Sequence, residues 1–95
     1  MNEMPASCPV LLVEDDLLIA MDVEALLKDL GCTVVGPLTS VKAALEVIPT
    51  QPIDAALLDI NLNNELVFPV ADTLARLEVP FVFVTSCSRA SIPWQ

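Results

Sequence analysis

Residues 55–61 read Ala55-Ala56-Leu57-Leu58-Asp59-Ile60-Asn61: small and aliphatic residues running straight into one carboxylate, then a polar stretch. A short continuous apolar run predicts a strand buried on both faces, as in a parallel α/β sheet. Ligands of such sheets sit at the carboxyl ends of the strands, which is where Asp59 stands. The pattern recurs in Val10-Leu11-Leu12-Val13 before Glu14-Asp15-Asp16, and in Phe81-Val82-Phe83-Val84 before Thr85-Ser86. Three strands thus end in polar groups that one site could gather.

Between these strands the signals are helical. Asp15 or Asp16 caps a helix to about Leu30, with Ile19, Val23, Leu26, Leu27 and Leu30 on its apolar face and Gly31 just past its end. Glu24 and Lys28 make an i,i+4 pair on the outer face. Cys32 to Val35 is a second strand, closed by a Gly36-Pro37 turn. Ser40 caps a helix from Val41 to about Ile48, with Ala44, Leu45 and Ile48 inward. After Asp59, residues 61–65 read as a polar loop. A third helix follows, with Pro69 in its first turn and Val70, Leu74 and Leu77 buried. The order βαβαβαβ predicts right-handed crossovers and a parallel sheet.

Composition narrows the function. The 95 residues make one domain, 55% apolar, with a formal net charge of −9 and only four basic residues, Lys28, Lys42, Arg76 and Arg89. That argues against nucleic-acid binding. The chain has no histidine, which excludes a phosphohistidine carrier, a Ser-His-Asp hydrolase and a histidine zinc site. Two glycines build no phosphate-cradling loop. Cys8, Cys32 and Cys87 have no CxxC spacing and read as free thiols of a cytoplasmic protein. The sequence carries no signal-peptide or membrane-span pattern.

If the first and third strands are neighbours, Glu14, Asp15 and Asp59 converge. Carboxylates without a basic partner repel one another, and Mg²⁺, a hard cation preferring oxygen, relieves that. Asn61 is placed to add a backbone carbonyl, Asp59 to attack a phosphoryl group, and Thr85 to hydrogen-bond it. A Mg²⁺-dependent phosphohydrolase would need an acid/base carboxylate two residues after the nucleophile, and Asn61 cannot serve.

Val13-Glu14-Asp15-Asp16, Leu57-Leu58-Asp59-Ile60-Asn61 and Val82-Phe83-Val84-Thr85-Ser86 resemble the three signatures of response-regulator receiver domains, over about residues 9–88. The resemblance implies Glu14 and Asp15 as the acidic pair, with Asp15 a direct Mg²⁺ ligand. It makes Asp59 the phosphoacceptor for a histidine kinase or histidine phosphotransfer protein, Asn61 a carbonyl ligand and Thr85 the switch hydroxyl. It implies a flavodoxin-like α/β/α fold with a parallel sheet in the order 2-1-3-4, and no enzymatic output beyond slow self-dephosphorylation. Receivers also carry a fifth strand ending in lysine, and a last helix. Nothing after Thr85 reads as either, and Arg89 is spaced for a loop. The expected organisation is a lead-in over 1–8, an incomplete receiver-like unit over 9–88 and an irregular tail over 89–95. Loss of the lysine leaves an alternative, a degenerate receiver that binds partners without phosphate. The apolar outer edge of strand 81–84 suggests a homodimer.

Overall fold

The computed structural model describes residues 8–62 and 64–84. Residues 1–7, Asn63, Thr85, Cys87, Arg89 and the tail over 89–95 lie outside the described residues, as do readings that depend on them.

The chain runs β1 (Pro9–Val13), α1 (Leu17–Asp29), β2 (Thr33–Leu38), α2 (Val41–Val47), a 3₁₀ turn (Ile48–Thr50) and β3 (Ala55–Asp59). It continues through β4 (Asn61–Leu62), β5 (Glu65–Leu66), α3 (Phe68–Arg76) and β6 (Phe81–Val84). The four longer strands are all parallel, in the order β2-β1-β3-β6. This is the expected second-first-third-fourth arrangement of a flavodoxin-like fold. One side of the sheet carries the main core. Leu11, Val13, Ala56 and Leu58 pack there against Val41, Ala44 and Ile48 of the second helical segment and Val70, Ala71 and Leu74 of α3.

Local chemistry explains the helix ends. Asp16 is the N-cap of α1, its carboxylate accepting from the Leu18 and Ile19 N–H groups at 3.0 and 3.3 Å. At the other end Gly31 (φ 87°) allows a Schellman closure: Gly31 N–H donates to Lys28 O and Cys32 N–H to Leu27 O. Lys28 meets Glu24 at 3.2 Å. Ser40 caps α2 by accepting from Ala43 N–H at 3.1 Å. Pro69 lies in the first turn of α3, where its missing N–H costs no helical bond.

Four readings of the sequence are corrected. The inward stripe of α1 is Ala20 and Leu27, seven apart, flanked by half-buried Ile19 and Val23; Leu26 and Leu30 are exposed. Leu26 lies a residue, or about 100°, round the helix from Leu27, and Leu30 is already the C-cap. Leu77 is exposed for the same reason, being the C-cap of α3, and Ala71 takes its place inside. Gly36-Pro37, a cis peptide, does not end β2, which runs on to Leu38 with a shift of register opposite Leu11–Val13. A Cβ on Gly36 (φ 120°) would sit 2.6 Å from Leu12 O, so glycine is what lets the strand pass. An edge strand also tolerates proline. Finally, residues 61–65 are not simply a loop. Asn61–Leu62 pairs antiparallel with Glu65–Leu66, sending Leu62 and Val67 fully into the core.

Among the described residues, no helix is long and apolar enough to cross a membrane.

Candidate functional site

The carboxyl ends of β1 and β3 lie side by side, because Val13 pairs with Leu58. Glu14 and Asp59 are the next residues on each strand. The backbone of Glu14 is held from its other side by β2, its N–H donating to Leu38 O at 2.9 Å. The shifted β2 beyond Gly36 therefore helps to aim the acidic end of β1.

One carboxylate oxygen from each of Glu14, Asp15 and Asp59 lies within 4.8 Å of the others. Glu14 and Asp59 are buried, 2% and 4% exposed, and Asp15 is half-buried. Burial pushes Glu14 up to about 7. The Asp16 backbone N–H, donating to Glu14 Oε2 at 3.0 Å, opposes this, while the charge of Asp59, a hydrogen bond to its carboxyl and the charge of Asp15 add to the rise. A hydrogen bond between two carboxyl groups requires a proton on one of them. Near neutral pH this pair is therefore poised to hold a proton or exchange it for a cation.

Asn61 lies beside the cluster. Its N–H donates to Asp59 Oδ1 at a long 3.4 Å, and its side-chain oxygen accepts from Asn64 N–H at 3.1 Å. Val84, the last residue described on β6, pairs with Asp59; Thr85 lies outside the described residues. Sequence reasoning missed two contributors. Asp16 was read only as a cap, yet its own N–H holds Glu14. Glu65 reaches across to α2, where Oε1 accepts from Val41 N–H at 3.4 Å. The first is a local contact two residues apart. The second joins residues 24 apart and leaves no local signal in the sequence.

The acidic end of the sheet borders an apolar surface. Leu17, Leu18 and Met21, on the first turns of α1 after Asp16, are all well exposed.

The arrangement has close counterparts among known proteins. The family model for the response regulator receiver domain matches residues 10–92. The Phyllosphere-induced regulator PhyR of Methylorubrum extorquens is 35% identical over 80 residues, covering 81% of this chain and 30% of that protein. The chain thus spans less than a third of that regulator's length. The solution structure of SdrG from Sphingomonas melonis Fr1 superposes with a TM-score of 0.81 at 44% identity, over 94% of this chain and 76% of that one. The BeF3-activated conformation of SdrG, from Pseudomonas melonis Fr1, gives 0.71 at 41% identity, over 96% and 78%. With these likenesses resting on the same fold and spanning the same strand ends, the chain belongs to the response regulator receiver domain family.

Proposed function

We propose that this receiver is a phosphoacceptor in a two-component relay, Asp59 taking a phosphoryl group from the phosphohistidine of a histidine kinase or histidine phosphotransfer protein. The observation that carries the reading is the convergence of Glu14, Asp15 and Asp59 within 4.8 Å at the strand ends. Those three carboxylates, with the backbone carbonyl of Asn61, would hold Mg²⁺. The donor set fits: hard carboxylate oxygens, clustered within 4.8 Å and partly buried. When bound, the ion supplies positive charge against phosphoryl oxygens.

The chain's own residues do the rest. An Asp59 carboxylate oxygen forms the bond to phosphorus as the donor's N–P bond breaks, and the imidazole leaves carrying a proton. Thr85 donates its hydroxyl to a phosphoryl oxygen. Glu14 holds a proton in its hydrogen bond with Asp59, which a bound cation would displace. The protein acts as a regulator, its only turnover a slow hydrolysis of its own acyl phosphate, and works in the cytoplasm with residues 9–88 as the unit. The donor docks over Leu17, Leu18 and Met21, since a partner reaching Asp59 must cover that rim. A second copy pairs along β6, where Val82 and Phe83 are exposed.

Amide NMR spectra with and without Mg²⁺ and beryllofluoride test the acceptor role. Shifts centred on Asp59 and its neighbours are expected. A dispersed spectrum that ignores both reagents would overturn phosphoacceptance in favour of a degenerate receiver that only binds partners.

A further inference from the structure

At the opposite end of the sheet, Pro9 pairs with Thr33, and Thr33 N–H donates to Cys8 O at 3.0 Å. One step back along both strands stand Cys8 and Cys32. Neighbouring strands lie about 4.8 Å apart, inside the ~4.4–6.8 Å between Cα atoms that a disulfide spans. Cys8 and Cys32 directly precede the two paired strands, and their thiols meet in a side-chain hydrogen bond. Cys8 is exposed and Cys32 half-buried, both as free thiols. The pair stands clear of the acidic site by the length of β1, roughly 20 Å at about 3.3 Å per residue.

We infer that Cys8 and Cys32 form a reversible redox site, which a low-molecular-weight disulfide such as glutathione disulfide converts to an intramolecular Cys8–Cys32 bond. The exposed Cys8 thiolate attacks one glutathione sulfur, giving a mixed disulfide and one released glutathione that takes up a proton. Cys32 then loses its proton, and its sulfur displaces the second glutathione. Two electrons pass from the cysteine pair to glutathione disulfide, which leaves as two thiols. The hydrogen bond to Cys32, then burial, then the charges of Cys32 and Asp54 raise Cys8 from its ordinary value. Its thiolate is correspondingly scarce, so the first attack is slow, and the nearness of Cys32 speeds the second. The bond ties the starts of β1 and β2 together and closes the β1–α1–β2 unit into a covalent loop.

The test uses the full chain with Cys87→Ser, equilibrated in glutathione redox buffers, quenched by alkylation and cut with trypsin. Lys28 is the first basic residue and Lys42 the second, so peptides 1–28 and 29–42 separate unless a disulfide joins them. The expected product is the joined pair, two hydrogens lighter than the separate peptides. It should be half-formed at a reduced-to-oxidised ratio at least about tenfold more reducing than for the same chain in concentrated guanidinium. The oxidised chain should keep its dispersed amide spectrum and melt roughly 5 °C higher or more. Adding Cys8→Ser or Cys32→Ser should abolish the joined peptide. Mixed glutathione adducts alone, links between chains, an equal ratio in guanidinium, or a collapsed spectrum on oxidation would each overturn the inference.

Discussion

Glu14 and Asp59 end neighbouring parallel strands with their carboxyl groups hydrogen-bonded to each other and almost wholly out of solvent. Two acids in that position share a proton or take a cation, and this choice sets how the protein responds to pH. Glu14 titrates near 7 in the fold and at its ordinary 4.5 in the unfolded chain. Between those values the native state holds a proton that the unfolded state has lost, so stability falls as pH rises through the window. Urea melts of the metal-free protein should lose about 3 kcal/mol between roughly pH 4.5 and 7.5. Glu14→Gln should flatten the profile; a flat wild-type profile would rule the shared proton out.

Asp59→Asn removes the proposed acceptor oxygen and half of the carboxyl pair. Incorporation of phosphate, followed by intact mass, should fall to background. At neutral pH without metal the variant should be more stable by about 1–2 kcal/mol, because a neutral amide no longer opposes Glu14. Phosphate still incorporated at the wild-type level would place the acceptor elsewhere.

If the donor docks on the apolar rim of α1, partner docking and acceptor chemistry can be separated. Leu18→Ser with Met21→Ser should slow transfer from a phosphorylated histidine donor about tenfold or more, since a docked partner would bury both exposed apolar side chains. Labelling by a small phosphodonor should be unchanged. Equal loss with both donors would mean that the substitutions damage the site itself.

Gly36→Ala should destabilise the fold by about 2 kcal/mol or more, because a Cβ there meets Leu12 O at 2.6 Å and Leu38 N at 2.8 Å at a φ of 120°. Gly31→Ala, with open space around it, should cost only about 1 kcal/mol for its positive φ. Chemical denaturation of the two variants gives the comparison, and equal costs would contradict the crowding at Gly36.

Val82 on β6 is 59% exposed. If copies pair along that strand, sedimentation should show concentration-dependent dimers, and Val82→Lys should leave monomers. A wild-type monomer at every concentration would remove the pairing.

Much was legible along the chain because its causes are local. Apolar runs meeting carboxylates mark the strand ends, and Asp16, Ser40, Gly31 and Pro69 punctuate the helices through contacts within a few residues. Those signals marked the elements and the acidic strand ends. The strand order came from the likeness of three motifs to receiver domains, and with it the meeting of Glu14, Asp15 and Asp59. What local pattern could not supply came from distant neighbours. Whether Leu26 or Ala20 faces the sheet depends on the azimuth at which α1 docks. The passage of β2 through Gly36-Pro37 depends on the Leu12 carbonyl of the adjoining strand. The burial of Leu62 depends on the small β4–β5 ribbon folding over the core. The acidity of Glu14 belongs to the same class: a carboxyl group's charge costs little in water, and only the assembled strand ends remove the water and set Asp59 against it.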